Sequence, residues 1–247
     1  AIALARYVGA PMRPLPWAAA RIGAGGDVDV GRHGPAEVRR VGRALEIAAE
    51  GLALVERLEH EATHDDLTGV PRRRLVREHL QQALSRSRRS GQSGAVMFVD
   101  IDHFKDINDT YGHAAGDVVL VAIADRLRDT LRFGDVLGRF GGDEFVVIAE
   151  PVGGPDEAFA FARRLVEVVA APISVADVTD MAPGGTVVAT VSVGVALFGR
   201  RTEAGLDVLR RADSATYEAK AGGRNCAVLI DDDGRVHSSA GTAEWVG

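Results

Sequence analysis

The sequence predicts an α+β fold: a central mixed sheet flanked by helices, preceded by an all-α coiled-coil segment. Three observations predict it. From residue 63 onward, short apolar runs of strand length alternate with amphipathic stretches of helical period. A Gly141-Gly142-Asp143 break separates two of those runs, the pattern of a tight hairpin. Before residue 63, one long stretch carries an apolar heptad repeat.

The first 36 residues are rich in Gly, Pro and Ala. Pro11, Pro14 and Pro16 cluster there, and a short helix is expected over 16–23, stopped by Gly25-Gly26. A connector follows over 27–35. The stretch 36–63 places apolar residues at Val38, Val41, Leu45, Ala48, Leu52 and Val55, gaps of three and four in strict alternation. That is the seam of a coiled coil, slipping near Leu58 as a stutter would make it. A single amphipathic helix packed on its own domain is the alternative. A helix of roughly 40 Å at 1.5 Å per residue, with no nearby partner in sequence, favours a parallel dimer.

Beyond residue 63, helices are expected over 75–89, 117–131, 158–170 and 206–221. Strands are expected over 94–100, 136–140, 144–149 and 187–197, with 227–230 closing the sheet. The acidic, Gly- and Ser-containing tail, 231–247, is expected to lack order. The domains are therefore 1–62, 63–230 and the tail.

Composition narrows the function. The 247 residues include 46% hydrophobic and 26% charged side chains, ordinary for a globular protein. Net charge is 29 − 35 = −6, so no general basic surface for nucleic acid exists. Cys226 is the only cysteine, which excludes an internal disulfide and a thiolate metal site and suits a reducing compartment. No apolar run reaches the length of a membrane span. The chain starts at Ala1 with an apolar Ala-Ile-Ala-Leu-Ala run, which reads as a fragment cut just after a membrane anchor.

Three features carry chemistry. Asp100-Ile101-Asp102 stands where an apolar strand runs out. Asp143-Glu144 follows the glycine bend. Lys105, Lys220 and Arg224 supply cationic charge, the last two around a Gly-Gly pair that lets backbone approach an anion. Taken singly, these are a hairpin, a helix cap and helix-dipole partners. Taken together, carboxylates at two strand ends suit a hard divalent cation that is completed by substrate phosphates. The reaction class is then metal-assisted phosphoryl or nucleotidyl transfer.

Gly138-Arg139-Phe140-Gly141-Gly142-Asp143-Glu144-Phe145 resembles the defining motif of GGDEF domains, the diguanylate cyclases. The resemblance extends from Asp66 to Leu229. It includes Asp66-Leu67-Thr68-Gly69, the run from Asp100 through Asp109, Tyr111-Gly112-His113 and Gly116-Asp117. It continues through Val191-Ser192-Val193-Gly194-Val195, Ala212-Asp213 and the run from Tyr217 to Asn225. Two departures stand out: Arg72 where Asn is frequent, and Thr216 in place of an apolar residue. The stretch from Arg13-Pro14-Leu15 to Leu58 is similar to a HAMP signalling module, a parallel dimeric four-helix bundle that usually follows a membrane span.

The resemblance implies a nucleotidyl-cyclase palm-like fold and a reaction. Two GTP molecules would condense into cyclic di-GMP with release of two pyrophosphates, in a homodimer. Asp100, Asp143 and the Ile101 carbonyl would hold two Mg²⁺ ions, with Mn²⁺ able to substitute, and Glu144 would assist with charge or proton transfer. Asn108 and Asp117 would read guanine. Lys105, Lys220 and Arg224, with backbone N–H groups near His103 and Phe104, would hold the phosphates. Arg132 and Asp135, an RxxD nine residues before the glycine bend, would bind product as an inhibitor with Arg164 beside them. The whole protein would sit in a bacterial inner membrane, with its catalytic part in the cytoplasm. Two other readings remain open at this level: a non-catalytic cyclic di-GMP receptor using only the Arg132/Asp135 site, and a dimeric relay resting on the heptad helix alone.

Overall fold

The computed structural model describes residues 36–199, 204–230 and 236–239, which fall into two units divided after Ala62. The first described unit is one helix, α1 (Ala36–Thr63). It leaves Ile47, Leu52, Val55 and Leu58 exposed. The expected short helix over 16–23, and most of the HAMP-like stretch with it, lie outside the described residues. No helix among the described residues is long and apolar enough to cross a membrane.

The second unit runs α2 (Arg73–Ser90), β1 (Ser93–Ile101), α3 (Phe104–Tyr111), α4 (His113–Thr130), β2 (Val136–Arg139), β3 (Glu144–Val152) and α5 (Pro155–Val169). It continues with β4 (Ile173–Ser174), β5 (Thr186–Val187), β6 (Val191–Phe198), α6 (Gly205–Ala221), β7 (Ala227–Ile230) and β8 (Val236–Ser238). Six strands form one sheet in the order β2-β3-β1-β6-β7-β8, and β4-β5 form a small separate ribbon. All neighbours in the large sheet are antiparallel except β6 and β7, so it is mixed, as expected.

Strand β1 explains the layering. It is buried along nearly its whole length because helices cover both faces of the sheet. Alternate side chains point to opposite faces. Ala95, Met97, Val99 and Ile101 join the larger core with residues of α4 and α5. Val96 and Phe98 join a second core with Val76, Leu80 and Leu84 of α2 and Val208, Leu209 and Ala212 of α6. The same alternation places Asp100 on the α2/α6 side of the sheet.

Helix α6 lies very close to β6. A β-carbon on Gly194 would sit inside contact distance of the Ala212 carbonyl oxygen and the Thr216 backbone nitrogen. The departure at Thr216 is absorbed here: its buried hydroxyl lies 3.0 Å from the carbonyl oxygens of both Phe98 and Ala212. Arg72 is absorbed by a reach back to the His64 carbonyl and to Asp66 at 2.9 Å.

Two expectations are corrected. Helix α3 occupies a stretch for which the sequence predicted no element, and His103 at φ 56 turns the chain sharply between it and β1. Strand β7 does not close the sheet, and the tail is not wholly without order. Strand β8 pairs with β7 in the register Val228↔Ser238 to Ile230↔Val236, covering backbone groups that an edge would leave unpaired. An Asp-Gly pair at 233–234, after the apolar run 227–230, is the turn signal that was available in the sequence.

Substituting Gly194→Ala should destabilise the domain by about 1–3 kcal/mol, the usual cost of overpacking. Thermal or urea denaturation checks it, with Gly142→Ala, whose added β-carbon meets open space, as the mild control.

Candidate active site

The site grows out of strand register. Strands β1 and β3 pair antiparallel, with Asp100 directly opposite Glu144. The Ile101 backbone N–H donates to the Asp143 carbonyl at 3.1 Å, which fixes the glycine bend to the end of β1. Phe145, fully buried, anchors the other side of the bend, a burial worth roughly 1.5–3 kcal/mol. Gly141 leaves room for the Glu144 carboxylate, which folds over it.

Arg139 holds the bend from behind. Its Nε and one terminal nitrogen donate to the Gly142 carbonyl at 3.1 and 2.6 Å. Its other terminal nitrogen donates to Asp65 Oδ1 at 2.8 Å. The same Asp65 oxygen accepts from the Thr68 backbone N–H and hydroxyl at 3.0 and 2.8 Å. Burial works to raise the Asp65 pKa, but the Arg139 and Thr68 hydrogen bonds outweigh it and hold the carboxyl below its usual range. Neither Asp65 nor Arg139 was singled out from the sequence as a site residue. For Arg139 the signal was there, because it stands in the Gly138–Phe145 motif, whereas Asp65 lies one residue before the stretch that carries the resemblance.

A cleft of about 280 Å³ is lined by Asp100, Ile101, Asp102, His103, Phe104, Lys105, Asp106, Asp143, Lys220 and Arg224. Seven of the expected site residues are thus brought together: Asp100, Ile101, Phe104, Lys105, Asp143, Lys220 and Arg224. Glu144 stands next to them on β3. The first turn of α3 borders the cleft, and the backbone N–H groups of a helix start suit an anion. Lys220, in the last turn of α6, forms an ion pair with Asp100 Oδ2 at 2.8 Å.

The electrostatics are those of crowded carboxylates. Burial, together with the charges of Asp143 and Asp102, raises the Asp100 pKa against the opposing pull of Lys220. Burial, then Asp100, Asp143 and Asp213, raises that of Glu144. Hard oxygen donors held together against their own repulsion fit a divalent cation. No group of three acidic, His or Cys side chains forms a closed metal cage among the described residues. The fit is therefore to an open site, two carboxylates plus a carbonyl, with phosphate and water completing the shell.

Asn108 and Asp117 lie off this cleft. Asn108, half-buried on α3, packs directly over Gly116, the residue before Asp117, and a β-carbon on Gly116 would displace its amide. Arg132 and Asp135 do not line this cleft either. The Asp135 carboxylate accepts from the Arg132 backbone N–H at 3.0 Å, closing a turn whose tip, Phe133, is fully exposed. Arg132 donates to Glu157 at 3.0 Å, a partner the sequence did not suggest. The Gly153 backbone N–H, then Arg132, holds the Glu157 carboxyl below its usual range. Arg164 is exposed, seven residues and two turns beyond Glu157 on α5.

The crowding carries a pH prediction. Raised pKa values on Asp100 and Glu144 mean stability that is present at acid pH and lost as pH rises through them. Asp143→Asn should therefore raise the melting temperature of the metal-free protein at pH 7.5. The gain should shrink as pH falls to where Asp100 and Glu144 are protonated. Differential scanning fluorimetry across pH, in EDTA, measures it.

Comparison with known proteins agrees with this geometry. Residues 62–226 match the family described as diguanylate cyclase, GGDEF domain. The chain is 40% identical over 177 residues to the diguanylate cyclase TpbB of Pseudomonas aeruginosa, covering 70% of this chain and 39% of that protein. It is 39% identical over 182 residues to the cyclic di-GMP phosphodiesterase NbdA of the same species, covering 71% of this chain and 22% of that one. The solved GGDEF domain of TpbB superposes with a TM-score of 0.63 at 38% identity, covering 68% of this chain and 94% of that one. The coiled coil and GGDEF domain of DgcB from Caulobacter crescentus, in complex with c-di-GMP, gives 0.69 at 28% identity, covering 77% and 97%. The chain spans no more than 39% of the length of these two curated relatives. With residues 62–226 matching that family and 40% identity to a diguanylate cyclase over 70% of its length, the chain belongs to the GGDEF family of diguanylate cyclase domains.

Proposed function

We propose that this chain condenses two GTP molecules into cyclic di-GMP, releasing two pyrophosphates, in a homodimer. The observation that carries this is the convergence of Asp100, Asp143 and Glu144 with Lys105, Lys220 and Arg224 at one open cleft.

Asp100, Asp143 and the Ile101 carbonyl hold two Mg²⁺ ions, or Mn²⁺ in their place. When bound, the ions supply charge neutralisation for the triphosphate and activation of the 3′-hydroxyl. Lys105, Lys220 and Arg224, with the backbone N–H groups at the start of α3, bind the β- and γ-phosphates. Asn108 and Asp117 read the guanine edge. Glu144, whose pKa is raised by burial and by its carboxylate neighbours, is suited to accept a proton.

One domain binds one GTP, so two domains must face each other for the 3′-hydroxyl of each to reach the α-phosphorus of the other. The exposed apolar stripe on α1 supports a parallel pairing of two chains. Orienting two half-sites in this way is worth several kcal/mol of the barrier. A HAMP-like segment upstream would set that orientation in a membrane-anchored protein. Arg132, Asp135 and Arg164 bind product and hold the catalytic faces apart, with Glu157 as the carboxylate that product phosphate displaces from Arg132.

The purified chain with GTP and Mg²⁺ should form cyclic di-GMP and pyrophosphate, read by chromatography. Asp143→Ala should lower turnover at least about a hundredfold while leaving cyclic di-GMP binding intact, and Arg132→Ala should do the reverse. Product binding without any turnover by the unsubstituted chain would instead favour a receptor. Gly116→Ala, by pushing Asn108 aside, should raise the KM for GTP and erode discrimination against ATP.

A further inference from the structure

Asp102 completes the Asp-x-Asp at the end of β1 and invites reading as one more metal ligand. Its surroundings say otherwise. It is buried, 4% exposed. Oδ1 accepts from the Ser192 hydroxyl at 2.7 Å. Oδ2 accepts from the Thr190 hydroxyl at 2.7 Å and from the Asn225 backbone N–H at 3.0 Å. Its own backbone N–H donates to the Thr190 carbonyl at 2.9 Å. Both oxygens are committed to protein donors.

The third of those donors matters most. Gly223, Arg224 and Asn225 follow one another at φ 117, 64 and 47. Two successive non-glycine residues in the left-handed region are uncommon and persist only where surrounding contacts over-determine them. The turn is closed on its helix side by the Gly222 and Arg224 backbone N–H groups, which donate to the Glu218 and Ala219 carbonyls at 2.8 and 3.1 Å. On its far side Asn225 meets the Asp102 carboxylate, and the next residue, Cys226, accepts through its carbonyl from the Val193 backbone N–H at 2.9 Å. This turn carries Arg224 into the cleft and follows directly on Lys220, which meets Asp100.

We propose that Asp102 is a positioning residue: it pins the left-handed turn after α6 to the end of β1, and so fixes Arg224 and Lys220 for the GTP phosphates. The assignment rests on the cyclase reading above. Asp102 acts through Arg224 and the turn, and takes no part in holding metal. An amide in its place would replace one of the two accepting oxygens with an NH₂, facing either the Ser192 hydroxyl or the Thr190 hydroxyl and Asn225 N–H, and so disrupt at least one of these bonds.

The test is steady-state kinetics and equilibrium binding of GTP on the whole chain. Asp102→Asn should raise the KM and the Kd for GTP about tenfold, with a smaller change in kcat. The Mg²⁺ concentration giving half-maximal rate at saturating GTP should stay where it is, unlike in Asp100→Asn. In a double-mutant cycle with Arg224→Ala, the two effects on Kd should be much less than multiplicative, because one acts through the other. An unchanged Kd, multiplicative effects, or a shift in Mg²⁺ demand matching that of Asp100→Asn would each overturn the proposal. Should Asp102→Asn fail to fold, Ser192→Ala removes one donor only; it should weaken GTP binding about twofold to threefold, and an unmoved Kd overturns the assignment. GTP binding without turnover would overturn the cyclase reading alone, leaving the Kd values to decide this one. No GTP binding by the unsubstituted chain would overturn both.

Discussion

Two carboxylates sit side by side where β1 ends and β3 begins, and the rest of the site is organised around keeping them there. Asp100 and Glu144 are register partners on β1 and β3. Like charges directly opposite on neighbouring strands destabilise a sheet. Burial, with Asp143 close by, raises the pKa of both. A fold does not keep such a cluster for its own stability. It suits the cationic ligand proposed above, and the surrounding structure supplies the force that holds it together.

That force comes from three directions. The cores on the two faces of the sheet fix β1 and β3 side by side, with Val99 and Phe145 buried next to the acidic pair. Arg139 fastens the glycine bend to the opening turn through Gly142 and Asp65, so Asp143 cannot swing away from its neighbours. On the other side, Lys220 reaches Asp100 from α6, and Asp102 ties the turn after α6 to β6 and β1. Gly194 lets α6 come close enough for this to happen. The site is thus a meeting of three strand ends and one helix end, each braced by a different buried contact.

Much of this was legible in the residues. Strand β1 announced itself as a short apolar run ending in acid, and the Gly-Gly bend between β2 and β3 followed from turn chemistry alone. What the sequence hid were contacts between residues far apart in the chain. Arg139 and Asp65 are separated by 74 positions, and Asp102 and Asn225 by 123; no local pattern encodes such pairs. Helix α3 was missed because eight residues, with three of them acidic or amide, offer too little periodicity. Strand β8 was missed because three residues in a polar tail carry almost none.

The central claim is that the acidic corner at the end of β1 and β3 exists to gather divalent cation beneath a nucleotide triphosphate. The most direct measurement is calorimetric titration of Mn²⁺ into the chain saturated with a non-hydrolysable GTP analogue, alongside Asp100→Asn. The account predicts Mn²⁺ binding to the unsubstituted chain above that of the free analogue, lost in the variant. Equal Mn²⁺ uptake by the two proteins would contradict it.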